Sequence, residues 1–154
     1  MIGIGSCSSV YSFRSVSLND ISSLVLLSQG NPNGAYEVCV SVFSKLGESI
    51  PASIKPEEAR AVLAETLTMY KEVSSEEGWI NKGLEDEKVR TVVKIYNKFV
   101  VTCYLCKQKH MMVYHMCRAL RLSLQNGACQ YTPLTLAHFA GYCAMKDENL
   151  ESIW

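Results

Sequence analysis

The stretch from Val89 to Cys106 constrains this chain more than any other. Val89, Val92, Val93, Tyr96, Phe99, Val100, Cys103 and Cys106 recur at i, i+3, i+4 and i+7, the spacing that places side chains on one face of an α-helix. Ile95, Val101, Tyr104 and Leu105 add apolar side chains off that stripe. A helix that is apolar nearly all round needs neighbours on several sides. The pattern therefore predicts a buried helix inside a larger helical assembly. The β-branched residues would also suit a strand, but the length and period of the pattern favour helix.

Helical signals flank this segment on both sides. Ser17 or Asn19 can cap a first helix through Ile21, Leu24, Val25 and Leu27, ending at Gly30. Gly30-Asn31-Pro32-Asn33-Gly34 reads as a turn. Ala35, Val38, Cys39, Val42 and Leu46 then mark a second helix stopped by Gly47. Lys55-Pro56-Glu57-Glu58 opens a third, because Pro suits a first turn and acids suit the positive end of the helix dipole. Its stripe is Val62, Leu63, Leu67 and Tyr70. Ser74 to Gly83 reads as a connector with Trp79 and Ile80 tucked in.

After the Val89–Cys106 helix, a fifth helix spans about Met111 to Gln125. Met112, Met116, Ala119, Leu120 and Leu124 point inward, and Asn126-Gly127 stops it. Thr132-Pro133 pairs an N-cap with Pro at the first helical position. The sixth helix carries Leu136, Ala137, Ala140, Gly141 and Ala144, and small residues at that spacing would let a neighbouring helix approach closely. Lys146 to Asn149 reads as a turn, and Leu150 to Trp154 as the start of a helix cut short. No segment reads as a strand. The class is all-α, built from antiparallel helix pairs. Stacked in sequence, such pairs form an α-solenoid; a closed bundle is the other arrangement this order allows.

Composition bounds the function. The apolar fraction is 48% and the charged fraction 19%, a globular balance. Lys plus Arg equals Asp plus Glu, at 15 each, so the net charge leaves no footprint for nucleic acid or an anionic membrane surface. The nearest basic cluster, Lys107, Lys109, Arg118 and Arg121, is broken by apolar residues. No apolar run approaches the roughly 20 residues that cross a bilayer. Residues 1–17 lack the basic start and long apolar stretch of a signal peptide. Their serines and Arg14, with no acid before Asp20, read as a frayed or truncated start rather than a transit peptide, and Ile2 excludes N-myristoylation. Seven cysteines, an odd number at mostly apolar positions, fit reduced thiols used as small hydrophobes. The expected location is cytoplasmic, without nucleic-acid or membrane partners.

Two segments carry a resemblance. Ala35, Cys39 and Val42 sit at the A-x3-F-x2-A spacing of a TPR second helix. The stretch from Gly34 through Leu46-Gly47 to Pro51 resembles an "EAL…L..LG…P" segment found in the helical region of large signalling ATPases. Met116 to Gly127, followed by Tyr131-Thr132-Pro133-Leu134, resembles that region's "R-x-x-R-L-S-L-x-x-G … S-P-L-A-F-A-G-Y" pattern. Here Thr132 replaces Ser, and His138 interrupts before Phe139-Ala140-Gly141-Tyr142. Those ATPases join a kinase-like domain and an AAA-type ATPase to a long TPR-like region, often followed by sensor or histidine-kinase modules. The resemblance covers roughly residues 18–146. It implies a TPR-like α-solenoid fragment over 17–154, truncated at its C-terminal end, with 1–16 unassigned. It implies protein partners, linked ATPase or kinase domains and further repeats among them. It brings no ATPase, because no G-x-x-x-x-G-K-[ST] loop and no kinase signature occur. The TPR first-helix Trp-Leu-Gly-Tyr pattern is also missing.

Candidate chemistry is sparse. Cys103-x2-Cys106 with His110 would present two or three ligands on one helix face, with His115 and Cys117 nearby. Zinc wants four converging ligands, usually as two spaced pairs, and no second pair has that spacing. Lys107 stands where a c-type haem motif needs His. These residues read as structural thiols, with a small metal- or thiol-redox protein using Cys103, Cys106 and His110 as the alternative. His138 has no Lys where a phosphotransfer motif would place one and reads as half-buried. Glu57-Glu58, Glu76-Glu77 and Glu85-Asp86-Glu87 read as helix starts and solvated faces, and Met111, Met112 and Met116 as filler. No catalytic, cofactor-binding or metal-ligating residue is assigned. The expectation is a non-catalytic scaffold or protein-interaction segment. Uncapped repeat ends expose apolar faces, so the isolated chain is expected to self-associate.

Overall fold

The computed structural model describes residues 22–147. The proposed Ser17 or Asn19 cap, residues 1–16 and the Leu150–Trp154 start lie outside that range. The described residues are all-helical, with six α-helices and no strands. The chain divides into two compact units, residues 1–52 and 53–154.

In the first unit a helix over 22–28, α1, precedes α2, Pro32–Lys45. Asn31 caps α2 by accepting a hydrogen bond from Gly34 N at 2.9 Å, with Pro32 at the first helical position. The Gly30–Gly34 turn is therefore shorter than its composition implies. Ala35, Cys39, Val42 and Phe43 are buried on α2. Phe43 lies outside the expected stripe, whereas Val38 is only half-buried. Gly47, at φ 77, ends the helix as expected.

The second unit contains α3 (Pro56–Ser74), a short 3-10 turn (Trp79–Asn81), α4 (Glu87–Leu105), α5 (Lys109–Asn126) and α6 (Thr132–Asp147). The Glu58 carboxylate accepts from Lys55 N at 2.9 Å at the start of α3, and Asp86 accepts from Val89 N at 3.1 Å at the start of α4. α5 is the hub: it packs most extensively on α4, then on α3 and on α6, and α4 also touches α6. Leu63 of α3, Val100 of α4, Val113, Met116, Cys117 and Leu120 of α5, and Phe139 of α6 form the core.

Several sequence expectations change here. α4 is not buried all round, because Val101, Tyr104 and Leu105 are 41%, 46% and 48% exposed. The helix buried on most sides is α5, where His115, Cys117, Leu122 and Ser123 join the core. Ile80 is 53% exposed rather than tucked in, whereas Trp79 does pack on the core. On α6 the small residues face outward: Ala137, Ala140, Gly141 and Ala144 are exposed, and Thr135 and Phe139 are buried. A Cβ at Gly141 would meet nothing within 4 Å among the described residues, so none of their helices approaches closely there. The helix also continues through Lys146 to Asp147, where a turn was expected.

Two polar devices hold the second unit in register. Asn97 Nδ2, buried on α4, donates to Val93 O at 3.0 Å and to Thr135 Oγ1 at 2.8 Å, while the Thr135 hydroxyl donates to Tyr131 O at 3.1 Å. This ties α4 to α6 through groups that burial would penalise without partners. The connector before α4 is clipped to the turn after α5. Ala128 N donates to Lys82 O at 2.7 Å and Leu84 N donates to Ala128 O at 2.8 Å. Gly127 makes this possible, with φ 107 and ψ 170, a region open essentially to Gly alone.

Candidate functional site

The cysteines and histidines are distributed through the helices rather than gathered into a site. Cys103 lies on the buried stripe of α4 and is wholly buried; Cys106 caps its C-terminus and is half-buried. Burial pushes the Cys106 thiol up from its ordinary value, away from the thiolate that binds metal or attacks a disulfide. His110 stands half-buried in the first turn of α5. Among the described residues, no group of three His, Cys, Asp or Glu side chains is arranged to hold a metal ion. The residues named for the metal or redox alternative are therefore not brought together with a further ligand. The six described cysteines are thiols, none in a disulfide.

Cys117 sits at the centre of α5, fully buried. Desolvation pushes its thiol up to about 12, against the opposing effects of the Thr66 hydroxyl and the Arg121 guanidinium. These neighbours form a polar seam between α3 and α5. Thr66 Oγ1 donates to Val62 O at 2.7 Å. Arg121 Nε donates to Thr66 Oγ1 at 2.8 Å, and its Nη2 reaches Val62 O at 3.1 Å and the Glu65 carboxylate at 2.9 Å. The seam fastens α5 to α3, and at Cys117 burial outweighs the lowering effects of Thr66 and Arg121, so the thiol stays protonated near pH 7.

His115 is enclosed by rings. Its imidazole lies 5.5 Å from Tyr96, 4.6 Å from Phe99 and 5.2 Å from Tyr114, measured between centroids. Burial pushes its pKa down to about 3, so the ring is neutral near pH 7 and occupies the place of a core aromatic. His138 is half-buried, as its setting implied, and its pKa is also lowered by burial. His115 and His138 thus lie in environments that disfavour the charged form.

What sequence reading missed is a segregation of charge that the zero net balance conceals. From Lys88 to Lys146 the chain carries nine Lys and Arg and no Asp or Glu. Counting by segment rather than over the whole chain would have found it. In the fold this stretch comprises all of α4 but its first residue, α5, and all of α6 but its last residue. The acids lie up to Glu87, the first residue of α4, including those of α3, and from Asp147 onward. The second missed feature is the exposed trio Val101, Tyr104 and Leu105 on α4.

No helix of the described residues is long and apolar enough to cross a membrane. Comparison with protein-family models, with curated proteins and with solved structures finds no match.

Proposed function

We propose that this chain is a non-catalytic helical scaffold, a TPR-like segment that presents helix faces to other proteins. In the resemblance described above, its setting would be cytoplasmic, within or beside a multidomain signalling ATPase. The observation that carries the reading is the packing order of residues 53–147. α5 packs on both its chain neighbours, α4 and α6, and second neighbours also touch, α3 with α5 and α4 with α6. α3 packs on α5 rather than on its chain neighbour α4, so the support is for helices layered around α5, an arrangement that pairs stacked in sequence share with a closed bundle. The fate of the reactive side chains supports the same reading. Cys103, Cys117 and His115 are wholly buried, where they act as packing groups.

Sedimentation velocity over a range of protein concentrations tests this. A segment that leaves large apolar side chains such as Val101, Tyr104 and Leu105 exposed is expected to associate as concentration rises. A sharp monomer at every concentration would count against it. Metal analysis separates it from the thiol alternative: the purified protein is expected to carry no stoichiometric zinc. Zinc at one per chain, lost on Cys103→Ser, would overturn the scaffold reading.

A further inference from the structure

We draw no further inference here: the strongest candidate, the exposed apolar patch that Val101, Tyr104 and Leu105 form on α4, carries none, because nothing in the structure shows what covers it.

Discussion

At the scale of single residues, two positions carry stresses that solution measurements can read. A Cβ on Gly127 would lie 2.5 Å from Lys82 O, at a φ of 107. Gly127→Ala must therefore break the clip to the connector or distort the turn, and is expected to cost about 3 kcal/mol in urea unfolding. A loss within about 0.5 kcal/mol, the range of ordinary surface substitutions, would show that the clip contributes nothing. His115 makes stability depend on pH. Its folded pKa is about 3 against an ordinary 6.5, so below pH 6.5 the unfolded chain takes up a proton that the fold refuses. The contribution is fully present above pH 6.5 and falls away between there and pH 3, by up to about 1.4 kcal/mol per pH unit. His138 adds a slope of the same sign. His115→Phe keeps a ring among Tyr96, Phe99 and Tyr114 and is expected to flatten most of the slope. An unchanged slope in that variant would place the titration elsewhere.

At the scale of elements, α4 offers two neighbouring positions with opposite fates. Val100 is 5% exposed and Val101 is 41% exposed. Val100→Asp sets an unpaired charge in the core and is expected to unfold the protein, while Val101→Asp is expected to shift stability by less than about 0.5 kcal/mol. Thermal melts showing similar losses for both would mean that the face assignment is wrong. The Asn97–Thr135 link is tested by a double-mutant cycle. Asn97→Ala or Thr135→Val alone is expected to cost about 1–3 kcal/mol, because each strands its buried partner. The double variant is expected to cost less than the sum of the two.

Helix existence was legible in this sequence because periodic apolar spacing survives in each segment. The proline and acid at the start of α3 and the glycines after α2 and α5 marked their ends. Burial was less legible. α5 carries Arg118, Arg121, Ser123 and two histidines, so its composition looks half polar, although His115 and Ser123 are wholly buried. α4 has the more apolar sequence yet leaves three large side chains outside. On α6 the small residues invited a close-approach reading, but Phe139 and Thr135 face the core. Which side of a helix is covered depends on neighbours far away in the chain, and period alone carries no such information. Cys103 was legible as a structural thiol on the α4 stripe and His138 as half-buried, whereas the burial of His115 was not; the charge segregation was hidden by averaging over the whole chain.

At the scale of the molecule, residues 53–147 are organised around one helix, with Cys103, Cys117 and His115 inside and Val101, Tyr104 and Leu105 outside. That arrangement makes α5 the element that cannot open without global unfolding, whereas α3 and α6 each lean on it from one side. Native-state hydrogen exchange tests this most directly. The core amides of α5 are expected to exchange most slowly, at the free energy of global unfolding, with α3 and α6 opening earlier. Exchange of α5 through a lower-energy opening, while α3 or α6 stays protected to the global limit, would contradict it.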